Sequence, residues 1–282
     1  MHASLSRATL ALLAATLAVP LHPPPAAAQA FTGELRQRVA LLGGAALHEF
    51  TGGRPAAVFD MDPEAFHAAA ATRMPAAGSF EGGALDGAAL HLTTWVAGER
   101  RRIETRMAGL PEQFRTVVVV TGPGEAVSLY PAMRRAARLP AAAARLFTEP
   151  PTATPDSAAG PAEKLGFERV RGWPADRWRW TGTDVRADLW IAPGPEARPG
   201  LQGVGAMSHP LAAAAAALPA RMGQLPAAGA VVRILVLFQD ADAGPTAVLL
   251  ELDAVAPGAV DPAHFAVPAD YVWVDPPPGG AP

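Results

Sequence analysis

The sequence contains no cysteine, and Lys164 is the single lysine in 282 residues. The absence of cysteine excludes disulfides, thiol catalysis and cysteine-based metal sites, and it excludes the acylated cysteine of a bacterial lipoprotein. The basic residues are therefore almost all arginines. Acids slightly outnumber bases, with a formal charge of −3, so we do not interpret the arginines as a nucleic-acid signal and expect no nucleic-acid partner.

Long apolar runs are also missing. The first 30 residues have the pattern of a secretory signal peptide, with Arg7, an apolar run over Ala8–Leu21 and an A-x-A signal at Ala28–Ala30. Both this run and the alanines at 212–217 are shorter than the roughly 20 residues that span a bilayer. We expect cleavage before Phe31 and a soluble periplasmic protein without a lipid anchor; retention of residues 1–30 as an anchor is the alternative.

The segment after the leader reads as helical. Apolar spacing predicts a short amphipathic helix over Glu34–Leu42 that ends at two glycines. A second helix begins with Asp62 as its cap and Pro63 at its first position, and runs to about Arg73. We therefore predict an N-terminal helical extension over residues 31–79.

From Ala88 onward the apolar period changes to two, which is typical of strands. Two β-hairpins turn at Gly98-Glu99 and at Gly122–Gly124. Later strands have the sequences GFERVRG, ADRWRWTG, RADLWIAPG, AVVRILVLFQ and TAVLLELDAV. A Pro-rich loop over 149–161 and a helix capped by Ser208 interrupt them, and the tail at 275–282 is expected to be disordered. This order predicts an α+β fold in which an antiparallel sheet over 80–274 has helices on one face.

No motif carries a complete catalytic or metal-binding constellation. Asp60 and Asp62 resemble the aspartate pair of a phosphotransferase loop, but Asp62 is better explained as a helix cap and the pattern lacks its lysine. The five histidines after residue 30 form no i, i+4 pair, and no serine lies in a nucleophile elbow. We expect no catalytic residue, cofactor or metal, and keep a hydrolase as a minor alternative.

The sequence LGFERVRGWPADRWRW, residues 165–180, contains three of the six tryptophans within eight positions. Alternation places Trp178 and Trp180 on one face of a strand and Arg177 and Arg179 on the other. We interpret the arginine side as solvated, the tryptophan side as buried and Gly172-Trp173-Pro174 as the turn. Arg100–Arg102 and Arg106 are interpreted in the same way, as a solvated strand face with Glu99 and Glu104. Phosphate or anionic lipid headgroups are the alternative ligands for these arginines.

Several segments together resemble uncharacterised exported bacterial domains of the LolA-like superfamily. The resemblance covers roughly Ala88–Val274 and rests on the segments WVAGERRRIETRM, VVVVTGPGEAVSLYPAMRRAARLP, AEKLGFERVRGWPADRWRW, ADLWIAPG and VDPAHFAVPADYVWV. It implies a curved antiparallel half-barrel sheet whose concave face is covered by helices, with a cavity for acyl chains or another apolar ligand.

We therefore expect a non-enzymatic binding protein for an apolar small molecule, a lipid or a lipoprotein, with peripheral membrane contact. Strand alternation assigns ten side chains to the concave face as ligand-binding residues: Leu90, Leu92, Trp178, Trp180, Leu189, Ile191, Ile234, Val236, Leu250 and Leu252. The alternative is a cell-envelope interaction or structural protein of the same fold, with a filled core and an envelope protein as its partner.

Overall fold

The computed structural model describes residues 31–73, 87–108, 110–111, 115–148, 160–193, 218, 230–240 and 244–275. Within these residues, twelve strands form one sheet. In chain order the strands are Thr32–Gly43 (β1), Gly87–Ala97 (β2), Arg100–Met107 (β3), Thr116–Gly122 (β4), Glu125–Tyr130 (β5), Arg135–Arg138 (β6), Glu163–Val170 (β7), Trp173–Thr181 (β8), Val185–Ala192 (β9), Ala230–Asp240 (β10), Gly244–Pro257 (β11) and Val272–Trp273 (β12).

The order of strands across the sheet is β12-β6-β5-β4-β3-β2-β1-β11-β10-β9-β8-β7. The pairs are antiparallel except for β12 with β6, which is parallel. Strands β12 and β7 are the two ends, so the sheet is open and is not closed into a barrel over the described part of the chain. The described ranges also contain α-helices at Gly44–Phe50 (α1), Pro63–Thr72 (α2) and Ala141–Thr148 (α3), and 3-10 turns at Pro55–Asp60, Pro131–Met133 and Pro262–Phe265.

The predicted hairpins are confirmed. Strands β2 and β3 pair around Gly98-Glu99, and β4 pairs with β5 around Pro123-Gly124. The hairpin of β7 and β8 turns at Arg171-Gly172, where φ is 52° and 88°, as a type I′ turn requires. The turn predicted at Gly172-Trp173-Pro174 is therefore misplaced. The chain turns one residue earlier, at Arg171-Gly172, and Trp173 and Pro174 already belong to β8.

The helix predicted over Glu34–Leu42 is wrong, because these residues lie within strand β1. This strand pairs with β11 on one side and with β2 on the other, so it is an inner strand of the sheet and not part of a separate helical extension. Its run Val39–Leu42 is buried on both faces. A strand covered on both faces loses the alternation of a half-buried strand and is easily mistaken for a helix.

Helix α2 is confirmed, with its predicted cap. The backbone N–H of Glu64 donates to Oδ1 of Asp62 at 3.3 Å, and Pro63 occupies the first turn, where no amide donor is needed. Asp60 ends a 3-10 turn instead of following a strand, so the geometry of a phosphotransferase loop is not formed.

Apolar side chains pack on both faces of the sheet. The first cluster includes Val39, Leu41, Val248 and Leu250 of the central strands, together with Ala144 and Phe147 of α3. The second cluster includes their alternating neighbours Ala40, Leu42, Ala247 and Leu249, together with side chains of α1 and α2. The prediction of helices on one face is therefore wrong. A third cluster joins β4, β5 and β6 to Phe265.

Some predicted segments lie outside the described residues. These are the helix after Ser208, apart from the buried helical residue Leu218, most of the Pro-rich loop over 149–161, and the tail after Asp275. No helix among the described residues is long and apolar enough to cross a membrane.

Candidate functional site

Most of the ten predicted ligand-binding side chains do lie together. Seven are buried members of the first cluster, with exposures of 3% or less, and Leu90 and Trp178 are half-buried at its margin. The exception is Leu252, which belongs to the second cluster. The seven buried members are Leu92, Trp180, Leu189, Ile191, Ile234, Val236 and Leu250.

The buried members of the first cluster are enclosed by the protein's own side chains. Ala144 and Phe147 of α3 and the isolated helical residue Leu218 are buried in contact with it. A side chain that bordered water-sized space would show exposed surface, whereas Leu189 and Ile234 show none. Leu189 and Ile234 therefore border no water-sized space, as expected of side chains in a close-packed interior.

Trp178 is the least enclosed aromatic side chain of the predicted set. The Lys164 ammonium lies 5.8 Å from its ring centroid. Its indole nitrogen is buried and has no hydrogen-bond partner among the described residues. Because buried indole N–H groups usually find an acceptor, this position is the one part of the predicted site with an unmet polar requirement.

The arginine side of β8 is largely covered, contrary to the sequence-based interpretation, because the Arg177 and Arg179 side chains are only 23% and 24% exposed. Asp188 of β9 has no exposed surface and accepts hydrogen bonds from Nε of Arg177 at 2.9 Å and Nε of Arg179 at 2.7 Å. Arg177 also donates to the carbonyl oxygen of Phe59 at 2.7 Å, and the Arg179 guanidinium lies 5.3 Å from the Phe59 ring centroid. These contacts attach the 3-10 turn at Pro55–Asp60 to the sheet.

A second buried carboxylate, Glu251 of β11, attaches helix α2 to the sheet. It accepts hydrogen bonds from Arg38 at 2.6 Å, from Nε2 of His67 at 2.9 Å and from Nε of Arg233 at 2.7 Å. Burial alone would raise the pKa of Glu251, but the His67 hydrogen bond and the Arg233 charge outweigh burial and lower this pKa to about 2. The carboxylate is therefore ionised at neutral pH.

A strip of ionic and aromatic groups connects these two carboxylates. The Arg177 and Arg233 guanidinium groups lie 4.9 and 5.0 Å from the Trp190 ring centroid, and the Trp190 indole N–H donates to Glu168. A small cavity of about 70 Å³ opens here between the turn at Pro55–Asp60, helix α2 and the sheet. Its volume suits a few water molecules better than an acyl chain.

Glu251 and His67 are an acid and a histidine within hydrogen-bond reach, which is the arrangement a hydrolase would need. However, Glu251 has no exposed surface and is held between two arginines, so its low pKa makes it a poor base. No group of three or more histidine and acid side chains suitable for a metal is found in the described ranges. The pair belongs to the hydrogen-bonded network that also contains Arg38 and Arg233.

The predicted solvated face around Arg100–Arg106 is also partly wrong. Glu104 is buried and accepts hydrogen bonds from Arg102 at 2.8 and 3.0 Å, and Arg102 also donates to the carbonyl oxygen of His264. These contacts pack the turn at Pro262–Phe265 against β3. The Arg102 guanidinium is therefore already paired with Glu104 and His264 and is not part of a free anion-binding surface.

Sequence reasoning missed the two carboxylates that organise the second face. The available signal was an acid flanked by apolar strand residues: Asp188 in ADLWIA and Glu251 in VLLEL. A charge at a buried strand position needs a paired partner, so such an acid predicts an arginine on a neighbouring strand.

Among the described residues, the exposed large apolar side chains lie at the two ends of the sheet. Leu165 and Phe167 of β7 are 37% and 65% exposed at one end. Met133, Val272 and Trp273 are 57%, 65% and 50% exposed at the other end, on β12 and next to its neighbour β6. In the part of the chain that the structure describes, the two sheet edges therefore offer apolar contact to another molecule.

A family model described as a domain of unknown function, DUF4412, matches residues 86–271. The chain belongs to the DUF4412 family. The match begins just before β2, so the inner strand β1 lies outside the matched residues although it joins β2 to β11. In this DUF4412 protein, the family region by itself would leave a gap in the middle of the sheet.

Solved structures show distant likenesses to the chain. An uncharacterized conserved protein from Thermus thermophilus is 9% identical, with a TM-score of 0.36 and coverage of 86% of this chain and 91% of that one. A Pseudomonas aeruginosa MucA/MucB complex structure is 10% identical, with a TM-score of 0.34 and coverage of 84% of this chain and 56% of that one. A LolA superfamily protein from Nitrosomonas europaea is 8% identical, with a TM-score of 0.30 and coverage of 84% of this chain and 90% of that one. Likenesses this distant carry no argument about ligand or partner, and no curated protein matches the chain.

Proposed function

We propose that the protein is a non-enzymatic interaction module of the cell envelope, with a filled interior, that binds a partner protein along strand β7. The open sheet, in this proposal, is a LolA-like half-barrel whose concave face carries the first cluster. The observation that carries the proposal is the contrast between the two surfaces. The predicted ligand face is buried by the protein's own side chains, whereas β7 is unpaired along its outer edge in the described residues and is exposed on both faces from Glu163 to Phe167.

An unpaired strand presents a row of backbone N–H and C=O groups that an extended peptide can complete. The bulge between Lys164 and Gly166 interrupts the first half of β7, so the regular half after it is the part suited to pairing. Phe167 lies in this half. Burying a phenylalanine side chain contributes about 1.5–3 kcal/mol, so this ring would supply apolar contact beside the backbone hydrogen bonds.

The charges of β7 favour a protein over a lipid surface. Glu163, Lys164, Glu168 and Arg169 provide two acids and two bases, so the strand has no net charge to attract anionic headgroups. Mixed charges of this kind select register against a partner strand through cross-strand pairs. We therefore propose an extended segment of an envelope protein as the partner.

Site-specific photo-crosslinking in cells tests this proposal. A benzophenone amino acid at position 167 should give one discrete adduct, and the same probe at the exposed turn position 99 should give none. Changing Leu165 to aspartate should remove the adduct at 167 without lowering the amount of folded protein. An equal pattern from positions 167 and 99, or no adduct from 167, would refute β7 as the interface. An adduct of two copies of the chain would identify the partner as the protein itself.

A second candidate function is binding of an apolar ligand beside Trp178. The half-buried indole with its unpartnered N–H is the observation that favours it. A dansyl-labelled fatty acid should then bind the wild-type chain and quench its tryptophan fluorescence, and Trp178→Ala should abolish this quenching while Trp273→Ala retains it. Absence of binding to the wild-type chain would reject the carrier function and leave the interaction module.

A further inference from the structure

The end of the sheet opposite β7 carries a compact surface in which apolar and basic side chains are combined. We define the β12 patch as Met133, Arg134, Arg135, Arg138, Val272 and Trp273. Strand β12 pairs with β6 through Val272 opposite Arg135 and Trp273 opposite Ala136, which places the three arginines beside the apolar residues. The Arg138 guanidinium lies 5.4 Å from the Trp273 ring centroid.

The patch is exposed and basic, although the chain as a whole is acidic. Its three large apolar residues are each at least half exposed, and the Arg134 side chain is 72% exposed. Among the described acids, Asp270 lies 3.5 Å from Arg134, and Asp275 follows Trp273 by two residues in the sequence. The three arginines outnumber these two acids, whereas the full sequence carries a formal charge of −3.

We propose that the β12 patch is a docking surface for an anionic lipid bilayer. Tryptophan is favoured at the level of lipid headgroups because its ring is apolar while its N–H is polar. Arginine guanidinium groups match the geometry of phosphate and bind it through paired hydrogen bonds. Exposed Met133 and Val272 add apolar surface that can enter the headgroup region, and the arginines around them are attracted to its negative charge.

The geometry of the edge argues against a partner strand at this end. Strand β12 contains two residues, so it offers too few backbone groups to support strand addition, unlike the eight residues of β7. Recognition at the β12 patch must therefore depend on side chains. The excess of positive charge and the exposed indole select a negatively charged, amphipathic surface over a mixed protein surface.

Vesicle sedimentation of the purified full chain tests the proposal. The chain should bind vesicles of phosphatidylglycerol in about 0.15 M salt, a physiological ionic strength that screens weak surface contacts, and should not bind vesicles of phosphatidylcholine. Each arginine contributes about fivefold to partitioning at an anionic surface, so the triple change Arg134→Ala, Arg135→Ala and Arg138→Ala should weaken binding roughly a hundredfold. Trp273→Ala should weaken it about tenfold through loss of interfacial burial.

The matched control is Phe167→Ala, which removes a comparably exposed aromatic ring from the other end of the sheet. This variant should bind the vesicles like the wild type, and all variants should keep the wild-type thermal transition. Equal binding by the triple-arginine variant and the wild type, or no binding by the wild type, would overturn the proposal. Loss of binding in Phe167→Ala would also overturn it, because the contact would then lie at β7.

Discussion

Nε2 of His67 lies 2.9 Å from the Glu251 carboxylate, and this contact joins helix α2 to the central strand β11. The same carboxylate is held by Arg38 of β1 and Arg233 of β10. One buried anion thus connects three adjacent strands to the helix that covers them. A buried charge removed from such an arrangement leaves its cations unpaired, which is more costly than loss of a surface ion pair.

We expect Glu251→Gln to destabilise the protein by about 3–5 kcal/mol at pH 7, because Arg38 and Arg233 lose their common anion. Urea unfolding followed by circular dichroism measures the change. Glu64→Gln is the matched control, since Glu64 also contacts Arg38 but is 60% exposed, and its loss should cost less than about 1 kcal/mol. Equal effects of the two changes would show that the buried position of Glu251 is unimportant.

The contribution of Glu251 to the free energy of unfolding should decrease as the pH is lowered. Its pKa is lowered from 4.5 to about 2 in the folded state, so its stabilisation is complete above pH 4.5 and is lost as the pH falls through 2. The pKa difference corresponds to about 3 kcal/mol. The difference in unfolding free energy between wild type and Glu251→Gln should therefore shrink between about pH 5 and pH 2. A constant difference over this range would contradict the lowered pKa.

Asp188→Asn should also destabilise the protein by about 3–5 kcal/mol, because Arg177 and Arg179 would lose the anion that both contact. Asp176→Asn is the comparison, since Asp176 pairs with Lys164 at the partly exposed edge and should matter by less than about 1 kcal/mol. Thermal unfolding of both variants measures the two effects. If Asp188→Asn and Asp176→Asn have the same unfolding temperature, the Asp188 network does not hold the Pro55–Asp60 turn on the sheet.

Ile234→Ala should lower the unfolding free energy by about 2–5 kcal/mol if the first cluster is a filled interior, because removal of a fully buried aliphatic side chain leaves a cavity. Val272→Ala, at an exposed position of the β12 patch, should change it by less than about 0.5 kcal/mol. Chemical denaturation gives both values. A small effect of Ile234→Ala would instead indicate that the side chain borders open space, as a ligand cavity requires.

Asp62→Ala should cost about 1 kcal/mol, because the Glu64 backbone N–H loses its capping acceptor at the start of α2. Asp62→Ser keeps a side-chain oxygen at this position and should restore most of the loss. The unfolding free energies of Asp62→Ala and Asp62→Ser, each compared with the wild type, measure the contribution of the cap. An unchanged stability of Asp62→Ala would show that the capping bond contributes nothing.

The hairpins were predictable because each depends on residues close in sequence. Alternation in β2 and β3 and the glycine turn between them specify a local structure, and Asp62 with Pro63 specifies a helix start. Strand β1 was not predictable in this way. Leu35, Val39 and Leu42 have helical spacing, and the competing strand is stabilised by β2 and β11, which are distant along the chain.

The candidate surfaces divide along the same line. Alternation in RWRWT predicted that Trp178 and Trp180 share one face and that Arg177 and Arg179 share the other. Whether that second face met water depended on Asp188 and on the turn that contains Phe59, neither of which is encoded in the alternation. Which residues are exposed at the two ends of the sheet likewise depended on which strands have a neighbour on one side only, and these are β12 and β7.

The amino-acid sequence by itself determined the strand-rich character of this protein, its hairpin connections, the start of α2 and the absence of thiol chemistry, because these follow from composition and from neighbours within a few residues. The tertiary structure decided that β1 completes the centre of the sheet, that Asp188 and Glu251 are buried anions, and that Phe167 and Trp273 are exposed at opposite edges. Burial and pairing at those positions depend on contacts between segments far apart in the chain, and local sequence patterns do not specify which segments meet.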